Sequence, residues 1–387
     1  MSILHLKYLN LTGYKSISGD GQMICFSDDV TILLGPNGAG KSNVISFFQM
    51  LNFMMTDALR EFVAKQGYAR SLLYYGPEQT TKLTAELLFA GEDTESQVTN
   101  ENYYRLSLSH AAGDLLIFTD ENIEFRRITD GTSEPNSTPY ILGVGHQESQ
   151  LKAARDRGQR TASVIYNLLQ GCRVYQFHNT ADTAKIRGQG YINDNRYLRS
   201  DGGNLAGFLF AMKENQATQP YYKRIVRHIQ QVMPQFGDFD LAPSSANQDY
   251  IRLDWRDQQR PDYLFGPHQL SDGSLRFMAL AALLLQPATT LPTMIIIDEP
   301  ELGLHPSALT TLSAMVKIAS QHSQVLLSTQ SPRLVDEFAA DQIVIVERDA
   351  GNQFTTFQRL DEDKLREWLQ AYSLSELWEK NVLGGLP

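Results

Sequence analysis

Short strand-like runs open the chain, Leu4 to Leu11 and Met23 to Phe26. They are followed by the apolar run Asp29 to Leu34 (DVTILL), which ends on a glycine-rich turn. Beyond that turn the period of the apolar positions changes. From Asn43 to Val63, the residues Val44, Phe47, Phe48, Leu51, Met54, Met55 and Leu59 recur at helical spacing, so the pattern predicts strand, loop, helix. From Lys82 to Arg127 it alternates instead, with Leu83, Ala85 and Leu87, then Tyr104, Leu106 and Leu108, as half-buried antiparallel strands require.

The middle of the chain differs. Between Asp130 and Asn204 lie a polar, turn-rich stretch (DGTSEPNSTP) and most of the basic clusters: Lys152, Arg155, Arg157 and Arg160, then Lys185, Arg187, Arg196 and Arg199. Leu205 to Met233 reads as two helices carrying a basic face of Lys223, Arg224, Arg227 and His228. An alternating pattern then follows: helix from Ser274, strand Met294 to Ile297, helix Ser307 to Ser320, strand Gln324 to Ser328, helix Pro332 to Phe338, strand Gln342 to Glu347. Such alternation predicts a largely parallel sheet. There is no internal repeat, and no heptad run long enough for a coiled-coil arm.

Composition narrows the class. With 42% hydrophobic, 20% charged and 10% aromatic residues the chain is expected to be globular and soluble. Lys and Arg total 34 against 44 Asp and Glu, a formal charge of −10, which argues against coating nucleic acid by bulk charge and leaves room only for a local basic groove. Cys25 and Cys172 are too few for a disulfide framework and lack metal-ligand spacing, so a reducing cytoplasm is the expected home. The longest strictly apolar run, Phe277 to Leu285, is less than half the roughly 20 residues that a membrane-spanning helix needs, and MSILHLKYLN lacks a signal-peptide pattern.

The chemistry concentrates in three places. Gly35-Pro36-Asn37-Gly38-Ala39-Gly40-Lys41-Ser42 fits G-x-x-x-x-G-K-[ST] between a predicted strand and a predicted helix. Its glycines let successive backbone N–H groups converge on phosphate oxygens, and the helix beginning near Lys41 adds its positive dipole end. Lys41 is expected to reach the β- and γ-phosphates, and Ser42 to ligate Mg²⁺. A glycine-rich turn matching by chance is outweighed by the flanking pattern. Farther on, Met294-Ile295-Ile296-Ile297-Asp298-Glu299-Pro300 delivers two carboxylates at the end of an apolar strand, the edge where ligands collect in open α/β sheets. Asp298 is expected in the Mg²⁺ shell, and Glu299 to position and deprotonate water. Taken alone, this is equally an acidic strand-end turn. The third is Leu270-Ser271-Asp272-Gly273-Ser274-Leu275-Arg276, followed at once by the apolar run FMALAALLL. Ser271 and the N–H groups around Gly273 sit at a helix start, which is an anion site or simply an N-cap.

In this order the three motifs resemble ABC-type ATPases, whose LSGGQ-like signature precedes a helix and the acidic pair. The match is to the RecF/SMC-like branch, and within it to stand-alone predicted ATPases of the RecF type. It is carried further by Gly13-Tyr14-Lys15-Ser16, by Asn43 after Gly40-Lys41-Ser42, by Glu299-Pro300-Glu301-Leu302-Gly303-Leu304-His305-Pro306, and by the tail WLQAYSLSELWEKNVLGG (368–385). The resemblance implies an α/β, ABC-type P-loop NTPase head with a mixed or parallel sheet, an antiparallel β subdomain and an inserted helical subdomain. Residues 1–128 and 238–387 would be the two halves of the head, sharing one sheet, and 129–237 the mainly helical insertion. It implies ATP and Mg²⁺ as cofactors, with ATP sandwiched between the phosphate loop of one copy and Ser271 and Gly273 of another, the loop after Pro300 touching the partner.

Two positions depart from the pattern. In the family a switch histidine follows the next strand, whereas Ser328-Thr329-Gln330-Ser331 places glutamine there; Gln330 donates a hydrogen bond but cannot titrate near neutral pH, which implies slow or partner-stimulated turnover. For the Q-loop only Gln79 offers itself, and a plain surface turn explains it equally well. His178-Asn179 reads as a satisfied structural histidine, and the basic middle as either a DNA or RNA face or solvated loops. Stand-alone members of this branch resemble ATPase halves of bacterial anti-phage systems such as Septu-like or PARIS-like pairs, which implies a separate effector such as a nuclease, in the cytoplasm and away from membranes. The alternatives are a nucleotide-gated scaffold with little turnover and, less favoured, a transporter ATPase subunit.

Overall fold

The computed structural model describes residues 3–93, 98–129, 132–133, 138–349, 351 and 353–385. Most of the stretch DGTSEPNSTP (130–139) lies outside them. The chain divides into two compact units, Met1–Arg173 with Ala339–Pro387, and Val174–Phe338. The stretch 129–237 is shared between them: the helices Leu151–Asp156 and Arg160–Gly171 belong to the first, Leu205–Glu214 and Gln219–Val232 to the second.

The first unit is built on antiparallel strands in the order Gln22–Cys25, His5–Thr12, Lys82–Asp93, Val98–Ala111, Leu115–Thr129, Thr132–Ser133, with Tyr140–Ile141 also pairing with Leu115–Thr129. The alternation seen in the sequence becomes register: Leu83 faces Leu108, Ala85 faces Leu106, and Leu87 faces Tyr104, all buried. The strand Val30–Leu34 is buried at every position and runs parallel to Ile343–Arg348, which pairs antiparallel with Thr355–Arg359.

The helix predicted from Asn43 to Val63 is two helices, Lys41–Met54 and Leu59–Lys65. Asp57 between them takes a left-handed backbone (φ 56°), which no helix continues through. The second helix begins where the Glu148 carboxylate accepts from the N–H groups of Leu59 (2.8 Å) and Arg60 (3.1 Å). A residue distant in sequence thus supplies the cap, so periodicity alone did not reveal the break.

In the second unit Met294–Asp298 runs parallel to Gln324–Thr329 in a register that sets Asp298 opposite Ser328, and every residue of both strands is buried. The helix Asp272–Leu284 carries buried apolar residues almost all round. Pro306–Ala319 forms as the apolar pattern predicted, while Pro332–Val335 is a single helical turn that stops short of Phe338. There the Glu337 carboxylate turns away to accept from the hydroxyls of Thr310 (2.8 Å) and Ser313 (3.1 Å). Small antiparallel pieces, Phe236–Asp240 with Asp254–Asp257 and Leu264–Phe265, follow the helices Leu205–Glu214 and Gln219–Val232. Among the described residues no helix is long and apolar enough to cross a membrane.

Replacing Glu148 by alanine should cost about 1 kcal/mol by removing that cap, read as a lowered urea midpoint with unchanged m-value.

Candidate functional site

In the first unit the strand Val30–Leu34 ends at Gly35, and the loop 35–40 feeds the 14-residue helix Lys41–Met54. Asn37 and Gly38 are exposed, Pro36 is half-buried and Ala39 is buried. Gly38 (φ 79°) and Gly40 (φ 116°) are left-handed, and a Cβ on Gly40 would lie 2.2 Å from Thr355 Oγ1, so only glycine fits there. Thr355 Oγ1 donates to the Ala39 carbonyl (2.8 Å) and pairs with Ser16 Oγ (2.6 Å), which accepts from Asn43 Nδ2. Arg348 Nε donates to the Gly38 carbonyl at 2.9 Å. The loop is therefore braced from Ser16 and from the hairpin that carries Arg348 and Thr355. Lys41, nearly buried, donates to the carbonyls of Gly35 (2.6 Å) and Pro36 (3.0 Å), while Ser42 is exposed in the first helical turn. Gln79 is exposed in a turn in which its N–H reaches the Gly76 carbonyl (3.2 Å).

In the second unit Asp298 is buried, and among the described residues its Oδ1 has no hydrogen-bond partner; Ser328 Oγ, across the strand pair, has none among them either. The Asp298 carbonyl accepts from His178 Nε2 at 2.9 Å, so His178 is satisfied, as its sequence context implied, but by the acidic strand itself. Glu299 is held in a left-handed turn (φ 43°) with its N–H on the Ser328 carbonyl (2.8 Å), and its Oε1 is approached by Gln330 Nε2 at 3.4 Å. Glu301 accepts from Thr329 Oγ1 (2.6 Å) and from the Gln330 N–H (3.2 Å). Burial pushes its carboxyl above the usual carboxylate range, and the Glu299 charge adds to this, against the hydrogen bonds that pull it down.

Ser271 caps the helix Asp272–Leu284 by accepting from the Ser274 N–H (3.1 Å). Gly273 approaches the loop after the acidic pair so closely that a Cβ would lie 2.1 Å from the Gly303 carbonyl oxygen. Arg276 spans the same elements, donating to the carbonyls of Leu302 (3.0 Å) and His178 (2.8 Å). The buried Arg187 gathers the carbonyls of Thr180, Pro267 and Leu270 and reaches Asp272 Oδ1 at 2.7 Å, which holds the Asp272 carboxyl below its ordinary range.

Residues 35–43 thus form one constellation in the first unit; in the second, Asp298, Glu299 and Gln330 stand at the ends of the paired strands, while Ser271 and Gly273 open a helix packed on the Gly303 loop. Sequence reasoning missed Thr355, Arg187, Arg276 and Glu301 as organisers. Of these, only Arg276 and Glu301 stood inside motifs that could have flagged them.

The family described as "AAA domain, putative AbiEii toxin, Type IV TA system" matches residues 30–336, and the chain belongs to that family. Its fold is that of SMC heads. It is similar to the crystal structure of an SmcHead bound to the C-winged helix domain of ScpA (16% identity, 94% of this chain and 99% of that one, TM-score 0.55). A Pyrococcus furiosus Smc head with an extended coiled coil, bound to the C-terminal domain of ScpA, gives 14%, 95%, 99% and 0.55. A Pyrococcus yayanosii Smc head with a coiled coil and joint gives 10%, 95%, 99% and 0.50. No curated protein matches the chain. The fold class is accordingly an α/β, ABC-type P-loop NTPase head of the SMC/RecF-like kind, as the motif order implied.

Because the Glu301 pKa is raised on folding, the folded protein binds that proton more tightly than the unfolded chain, and the carboxylate costs stability at neutral pH. Glu301→Gln should therefore be at least as stable as the parent near pH 7, and the two should converge as pH falls to the ordinary value of an unfolded glutamate, about 4.3. Urea midpoints across that window check it; a variant less stable near pH 7 contradicts it.

Proposed function

We propose that this chain is an ATP-binding and hydrolysing ABC-type ATPase that assembles around ATP and governs a separate effector. What supports this most is the buried Asp298 Oδ1, left without a partner beside Glu299 in a strained turn: a native fold leaves such an acceptor empty where a ligand is to fill it. Its fit to Mg²⁺ agrees with hard oxygen donors, and the open, glycine-lined loop before a long helix fits a polyphosphate. Ser42 and Asp298 would hold Mg²⁺, which when bound offsets phosphate charge and orients the β- and γ-phosphates. Backbone N–H groups of residues 37–43 bind the phosphates, and Lys41 exchanges the Gly35 and Pro36 carbonyls for phosphate oxygens. Glu299 takes the proton of the attacking water, and Gln330 donates its amide to the γ-phosphate. Ser271 and the N–H groups near Gly273, supplied by a second copy, close over that phosphate.

The family description names a toxin of a type IV toxin–antitoxin system, and Smc heads of this fold are recorded with a bound ScpA domain; both favour a protein partner, such as a nuclease effector in anti-phage defence. The exposed Lys223 and Arg227 on Gln219–Val232 are where DNA or RNA would dock. Free Cys25 and Cys172 suit a cytoplasmic setting. One observation favours the scaffold reading instead, in which ATP gates an effector with little turnover: Gln330, which cannot titrate, meets Glu299 only at 3.4 Å.

Lys41→Ala should weaken ATP binding about 100-fold or more, whereas Glu299→Gln should keep binding, lose about 100-fold in turnover and accumulate as an ATP-dependent dimer or higher assembly. Phosphate release and light scattering check both. A parent that turns over no faster than Lys41→Ala supports the scaffold, and a monomer indifferent to ATP at micromolar protein removes the sandwich.

A further inference from the structure

The contacts of Glu301 exceed what the roles of its neighbours require. Its Oε1 accepts both the Thr329 hydroxyl and the Gln330 N–H, while its Oε2 is buried with no partner among the described residues. Thr329 is wholly buried, and its Oγ1 also accepts from the Ser331 N–H (3.0 Å); Ser331 Oγ in turn accepts from the Leu334 N–H at 3.4 Å. The main chain on both sides of Gln330 is thereby tied down, with its amide side chain reaching toward Glu299. A carboxyl group at this depth, with one oxygen unmatched, is a poor way to stabilise a fold, since an apolar residue of similar volume would avoid its desolvation. Its presence is explained by what it holds.

We propose that Glu301 is a positioning residue for Gln330: it fixes the backbone of the switch turn so that the Gln330 amide is aimed at the space above Glu299. This rests on the function proposed above. The geometry divides the labour clearly. Thr329 supplies the hydroxyl that orients the carboxyl group, the carboxyl group holds the Gln330 N–H, and the Gln330 side chain is left to meet the nucleotide. Glutamine at 301 keeps an acceptor at Oε1 and preserves the arrangement; alanine removes it.

The test is steady-state ATP hydrolysis together with ATP affinity for Glu301→Gln, Glu301→Ala, Thr329→Val and Gln330→Ala. Glu301→Gln is expected to turn over within about threefold of the parent. Glu301→Ala and Thr329→Val should lower kcat about tenfold with ATP affinity within about twofold, and neither should lower it further when added to Gln330→Ala. Parent-like kcat in Glu301→Ala, or effects that multiply with Gln330→Ala, overturns the proposal. If the parent shows no turnover above Lys41→Ala, the ATPase reading has failed and positioning is read separately by hydrogen exchange at the Gln330 amide. Faster exchange in Glu301→Ala than in Glu301→Gln supports it, and equal exchange overturns it.

Discussion

Both constellations depend on a missing side chain. At Gly40 the Thr355 hydroxyl stands where a Cβ would be, and at Gly273 the Gly303 carbonyl does. At such separations even one methyl group has to displace what is there: the hydrogen-bonded Thr355 side chain at Gly40, and backbone at Gly273. The consequence differs in the two units. At Gly40 the close approach lets Thr355 and Ser16 set the path of the phosphate loop into its helix. At Gly273 it presses the start of the signature helix against the loop that follows the acidic pair, where Arg276 ties the same elements a second time.

Around that pressed loop the second unit tolerates polar atoms that a core normally refuses. Asp298 Oδ1, Ser328 Oγ and Glu301 Oε2 are buried without partners among the described residues, each of which costs about 1–3 kcal/mol. The surroundings are arranged to keep them in place. His178 holds the Asp298 carbonyl, the parallel register holds Ser328, and Thr329 with the Gln330 N–H holds the other oxygen of Glu301. Strain at Glu299 belongs to the same pattern, a local cost carried by strands buried along their whole length.

Where a residue's neighbours lie close in sequence, the sequence was informative. Leu83, Ala85 and Leu87 announced an antiparallel strand because alternation maps one face onto a core, and their partners proved to be the alternating Leu108, Leu106 and Tyr104. Gly35 to Ser42 announced a strand–loop–helix cradle because left-handed backbone demands glycine. The unbroken stripe from Asn43 to Val63 misled, since the break at Asp57 and the capping Glu148 leave the apolar spacing intact. Glutamate at 301 read as part of a motif, with nothing nearby to show that its carboxyl would face Thr329.

The sequence by itself thus determined the α/β class, the phosphate loop, the acidic pair and the glutamine at position 330, because period, glycine placement and residue chemistry are local properties. Only the tertiary structure decided that Thr355 and Arg348 brace the loop, that His178 and Arg187 serve the acidic strand and the signature turn, and that Glu301 holds Gln330. Those pairings join residues far apart in the chain, and a hydrogen bond between them exists only once packing has brought donor and acceptor within about 3 Å.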